Sequence, residues 1–104
     1  MLFNEEGFNE KRHNAQEHNE DLLLLEALEK RDIDAFIRLD NLYGDDLKIY
    51  AYMQLYDREL LARTFQQLSR FLWEEARFNL IRPPIYSFLC RQIDRICNEQ
   101  IDME

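Results

Sequence analysis

The sequence predicts an all-α fold: a compact bundle of four to five helices behind a polar N-terminal arm. Three observations lead there. The chain contains no valine, only two glycines and two prolines among 104 residues, so it lacks both the β-branched residues strands favour and the turn residues sheets need. Apolar residues recur at three- and four-residue spacing from Leu22 to Ile96, the period of helices with one buried face. Hydrophobic residues make up 46% of the chain, enough for a packed core and too many for a disordered polymer. The length suits one domain, residues 20–104, preceded by an arm over 1–19.

The arm is polar apart from Leu2, Phe3, Phe8 and Ala15. Asn recurs at 4, 9, 14 and 19, a period of five that matches neither helix nor strand. The first helix is expected over 20–31, with Leu24, Leu25 and Leu28 on one face, Asn19 as cap, and Glu20 and Asp21 favouring the positive end of the helix dipole. Asp32 caps a second helix over 33–43, which carries Ile33, Phe36 and Ile37 and forms a short hairpin with the first. Gly44 falls where a left-handed terminating residue is wanted. Asp45 or Asp46 then caps a third helix over 46–56, apolar all round and so buried on more than one side. Asp57 either caps a new helix or lies inside a continuous one.

The fourth helix is expected over 58–81. Leu61, Phe65, Leu68, Leu72 and Ala76 form its main stripe, and Arg63, Arg70 and Arg77 repeat every seven residues on its polar side. Arg82-Pro83-Pro84 ends it, since a residue before proline avoids the α region. Pro84 opens a fifth helix over 84–100, with Ile85, Phe88, Leu89, Ile93 and Ile96 facing the core.

The formal charge is −8, and it is uneven. Residues 1–52 hold 13 acids and 6 bases, residues 53–104 hold 8 acids and 7 arginines. The acidic half repels phosphate, which argues against direct nucleic-acid binding and for a protein partner with a basic surface. The longest apolar run is five residues, Ile49 to Met53, far short of the ~20 that span a membrane. No secretory leader is visible, and Cys90 and Cys97 lie too far apart on one helix to bridge. Free thiols in a reducing cytoplasm are therefore expected.

Catalytic and cofactor signatures are missing. Two glycines cannot build a phosphate-cradling loop, and neither Ser69 nor Ser87 has a histidine near it in sequence. His13, Glu17 and His18 are the sole metal-like constellation, but the two histidines stand five apart, so no metal or cofactor is expected. The paired acids read as caps and solubility devices.

These features point to a non-catalytic interaction module. Within that class, size and charge suggest a small acidic inhibitor or immunity-type protein of the sort phages and mobile elements encode, with acids imitating nucleic-acid phosphates on a basic partner. Glu26, Glu29, Asp34, Asp40, Asp45 and Asp46 are the candidates for its acidic face. Tyr52, Tyr56, Arg63, Arg70, Phe71, Trp73, Arg77 and Phe78 are the candidates for a second contact. This second set also supports the alternative, a homo-oligomeric structural or regulatory subunit joined through the third and fourth helices, because so small a domain should leave some of those aromatics uncovered.

Overall fold

A computed structural model describes residues 19–102 of the chain. The polar arm up to residue 18, with His13, Glu17 and His18, lies outside the described residues. Those described form four α-helices and one 3-10 turn, with no strand among them. Helix α1 covers 19–29, α2 Ile33–Leu55, α3 Arg58–Glu74 and α4 Ile85–Asp102, and the 3-10 turn is Phe78–Leu80.

The core is the one the periodicity marks out. Leu24, Leu25 and Leu28 of α1, Leu68 and Leu72 of α3, and Ile85, Leu89, Ile93, Ile96 and Cys97 of α4 are all buried. Helix α2 differs. It buries Ala35, Leu39, Gly44, Leu47 and Ala51, whereas Ile33 and Ile37, expected on its core side, are 65% and 54% exposed.

The expected break at Gly44 does not occur. The second and third expected helices are one helix of 23 residues. Gly44 has no positive φ, and Asp45 and Asp46 are mid-helix residues, not caps. A glycine inside a helix costs about 1 kcal/mol relative to alanine, less than the burial of Leu39, Leu47 and Ala51 on either side contributes.

Left-handed backbone appears instead at Arg31 (φ 60°) and Tyr56 (φ 50°). At the end of α1, the Asp32 N–H donates to the Ala27 carbonyl at 3.2 Å and the Arg31 N–H to the Leu28 carbonyl at 2.9 Å. This is the paired closure of a Schellman turn, with arginine where glycine is usual. The next helix starts at once, since the Asp32 carboxylate accepts from the Asp34 N–H at 3.0 Å. Asp57 does the same for α3, accepting from the N–H groups of Glu59 at 2.8 Å and Leu60 at 3.0 Å. Residues 46–74 therefore belong to two helices, divided at Tyr56 and Asp57.

Helix α3 stops at Glu74, well before Arg82-Pro83-Pro84. The stop is made by side chains of the α1–α2 corner. Arg31 donates to the Trp73 carbonyl at 2.8 Å through Nε and to the Ala76 carbonyl at 2.7 Å through Nη2. Its Nη1 donates to the carbonyls of Leu28 at 3.2 Å and Glu29 at 3.3 Å. Glu29 accepts from the N–H of Phe78 at 2.7 Å and of Asn79 at 3.3 Å, holding the 3-10 turn. The Arg31 guanidinium also lies 5.2 Å from the centre of the Phe78 ring.

Two variants test this account. Arg31→Met removes the charged donor from four carbonyls, and hydrogen bonds of that kind contribute about 1.5–3 kcal/mol each before exposure weakens them. Chemical denaturation should show a loss of about 2–4 kcal/mol. At Gly44 an added Cβ would stand 2.5 Å from Asp40 Oδ1, the free end of an exposed side chain that can swing aside. Gly44→Ala should therefore raise stability by about 0.5–1 kcal/mol. A lower melting temperature would mean that Asp40 cannot move.

Candidate functional site

Continuity of α2 through Gly44 sets one face of the protein. At 100° per residue, Leu42, Asp45, Asp46, Ile49, Tyr52, Met53 and Tyr56 fall within about a third of the helix circumference. All are exposed: Leu42 by 47%, Ile49 by 63%, Tyr52 by 38%, Met53 by 59% and Tyr56 by 67%, with both aspartates exposed beside them. Tyr56 ends the helix, its N–H donating to the Tyr52 carbonyl at 2.8 Å. The two rings meet edge-to-face with centres 5.8 Å apart. The face thus carries five large apolar or aromatic side chains and two carboxylates over roughly 20 Å of helix.

The other expected acidic positions do not extend it. Glu26 is exposed and faces Lys30 at 3.7 Å. Glu29 is occupied by the backbone of the 3-10 turn. Asp34 sits in the first turn of α2, and Asp40 borders a different feature, a groove between α2 and α3. This groove holds about 330 Å³ and is lined by Phe36, Leu39, Leu47, Phe65, Leu68, Leu72 and Trp73.

The aromatic and arginine positions do not form one surface. Tyr52 and Tyr56 belong to the α2 face. Trp73 packs edge-on to Phe36 at 5.0 Å and stays 46% exposed at the groove. Phe78 is not a surface residue at all. It is 2% exposed, because the 3-10 turn folds it under Arg31 and against Phe36, ring centres 5.9 Å apart. The heptad of arginines is also interrupted. Arg63 and Arg70 lie on α3, near Glu59 at 3.9 Å and Glu74 at 3.5 Å, both weak exposed pairs. Arg77 lies past the end of α3. Phe71 is half-buried, with the Arg95 guanidinium 5.3 Å from its ring centre.

Sequence reasoning missed the carboxylates that hold the scaffold. Asp21 is 3% exposed. It accepts from the Tyr43 hydroxyl at 3.2 Å and from the Ile85 N–H at 2.9 Å, so a residue of α1 caps α4 and ties both to α2. Asp94 accepts from the Tyr50 hydroxyl at 2.8 Å and Gln54 Nε2 at 3.0 Å. No local signal marks these partners, since they lie 22 to 64 residues away.

Cys90 and Cys97 are free, and Cys97 is buried. Burial pushes both thiols up, which keeps them in the unreactive neutral form. Among the described residues no three His, Cys, Asp or Glu side chains are grouped as metal ligands would be. No described helix is long and apolar enough to cross a membrane. No known protein family, curated protein or solved structure matches the chain.

The Tyr50–Asp94 contact has a pH signature. Its hydrogen bond to Asp94, and then burial, push the Tyr50 hydroxyl from 10.0 up to about 12. The folded state thus keeps this proton where the unfolded state, titrating near 10, has lost it. The contribution is complete below pH 10 and disappears as pH rises toward 12. Wild-type stability measured by denaturation should fall over that window, and Tyr50→Phe should show a shallower fall.

Proposed function

We propose that this protein is a non-catalytic interaction module that lays the outer face of α2 onto an apolar, basic-rimmed surface of another protein. The observation that supports this reading most is the exposure of Leu42, Ile49, Tyr52, Met53 and Tyr56 on one helix face with Asp45 and Asp46 set among them. An amphipathic helix uses such anchors, spaced by three, four and seven, to fill a groove. Tyrosine and methionine are common at such contacts, as each gives a large apolar area that adapts to its partner. The two carboxylates favour arginine or lysine at the partner's rim and steer the encounter.

The acidic content also speaks for a different protein over a second copy. A two-fold contact through α2 would bring four carboxylates, Asp45 and Asp46 from each chain, into one interface, with only Lys48 of each chain at its edge to offset them. Acting by occupation, the module blocks whatever the partner's basic surface otherwise binds, which makes a small inhibitor its simplest role.

Replacing Ile49 with the photo-crosslinker benzoylphenylalanine in cells tests the reading. The expected product is an adduct with one heterologous protein. Its yield should fall about two- to tenfold with Asp45→Asn and Asp46→Asn together, the effect of losing two exposed charge contacts, and fall likewise in high salt. Adducts formed only with the chain itself, or heterologous adducts indifferent to both changes, would overturn it.

A further inference from the structure

A second surface carries the opposite charge. Where α3 ends and the connection to α4 crosses the bundle, Arg77, Arg82 and Arg91 line a single depression of about 450 Å³ together with Phe71, Leu80 and Phe88. None of these three guanidiniums has a carboxylate partner among the described residues, whereas the neighbouring Arg70 and Arg95 are paired with Glu74 and Glu99. The one acid lining the depression is Glu75. Leu80 is 72% exposed, and Phe71 and Phe88 are half-buried.

On a chain of net charge −8, three arginines with no carboxylate partner among the described residues line one depression with apolar side chains, a local concentration of positive charge. Arginine beside aromatic and aliphatic side chains is the composition of protein-binding surfaces. The guanidinium fork donates two parallel hydrogen bonds to a carboxylate. We infer that this depression binds an acidic segment of a protein partner, its carboxylates on Arg77, Arg82 and Arg91 and an apolar side chain on Leu80 and Phe88. A nucleic acid fits less well. Its continuous line of phosphates would run into Glu75 and then into the acidic remainder of the surface, while a peptide can space its carboxylates around Glu75.

The test uses the full chain and a fluorescein-labelled peptide of about a dozen residues repeating Glu-Glu-Phe, with a Gln-Gln-Phe version as control, followed by fluorescence anisotropy. The Glu peptide should bind about tenfold more tightly than the Gln peptide, and Arg77→Gln, Arg82→Gln and Arg91→Gln together should weaken it about tenfold. Arg38→Gln, Lys48→Gln and Arg58→Gln together change the net charge equally on other surfaces and should alter binding by less than about twofold. Glu75→Gln alone should tighten binding about two- to fivefold. This gain is independent of whether the triple variant folds, and circular dichroism checks that it does. Equal losses in the two triple variants, no preference for Glu over Gln, or no gain from Glu75→Gln would overturn the proposal. So would stronger competition from single-stranded oligothymidine than from unlabelled Glu peptide, which would reassign the surface to nucleic acid.

Discussion

The bundle depends on how the last carbonyls of α3 are satisfied. A helix end leaves up to four acceptors without partners, and burying them unpaired is costly. Here no glycine closes α3. The neighbouring corner closes it, with Arg31 reaching the carbonyls of Trp73 and Ala76 while Glu29 takes the N–H groups that open the 3-10 turn. Two residues of one corner, Glu29 and Arg31, thus hold the end of α1, the chain where α3 ends and the turn that carries Phe78 into the core. Arg31 adopts a left-handed backbone, which costs a non-glycine residue about 1–2 kcal/mol. Its side-chain bonds offset that cost, and glycine at this position would have no side chain to make them.

The same clasp determines what the surface displays. The connection after α3 is held by Glu29 and Arg31, which leaves Ala76 and Phe78 buried. Arg77 and Leu80 stand exposed on either side of buried Phe78. Had α3 continued to residue 81, Arg77 would have joined Arg63 and Arg70 in a stripe of local ion pairs, and Phe78 would have stood on a helix face. The early stop instead brings Arg77 to Arg82 and Arg91.

Much of the fold was legible because helix periodicity and caps are local. Asp32 caps as its position suggests, Asp57 proves to be a cap where the sequence leaves two readings open, and Leu24, Leu25 and Leu28 of α1 and Ile85, Ile93 and Ile96 of α4 are buried where their spacing puts them. The errors share one cause. Locally glycine favours termination and arginine favours the helix, and at Gly44 and Arg31 tertiary packing outweighs that preference. Gly44 stays helical because α2 buries residues on both sides of it, while Arg31 leaves the helix because distant carbonyls take its side chain. For the site, the correction at Gly44 matters most. Two short helices would have placed Asp45 and Asp46 at a cap, apart from Leu42, whereas one helix sets them among Leu42, Ile49 and Tyr52. Composition also overstated the acidic face. Asp21, Glu29, Asp32, Asp57 and Asp94 are engaged by N–H groups or a hydroxyl within the fold, which leaves fewer free carboxylates than a net charge of −8 suggests.

The acidic α2 face and the arginine depression are opposite in charge, which raises the question of whether they serve each other between copies. Such a contact would be heterologous and, unless it closed into a ring, would propagate into fibres. Shape argues against it. The α2 face is a convex stripe of roughly 20 Å with apolar side chains at both ends and its carboxylates toward one end. The depression is a concavity lined by three arginines, several apolar side chains and Glu75. Docking the stripe there would leave most of its apolar length, including Tyr52 and Tyr56, in water, and burial of that length is the main gain available to it. Two surfaces that differ in charge and in curvature suit two different partners, so on the proposed reading the α2 face would occupy one partner while the depression takes an acidic segment of another.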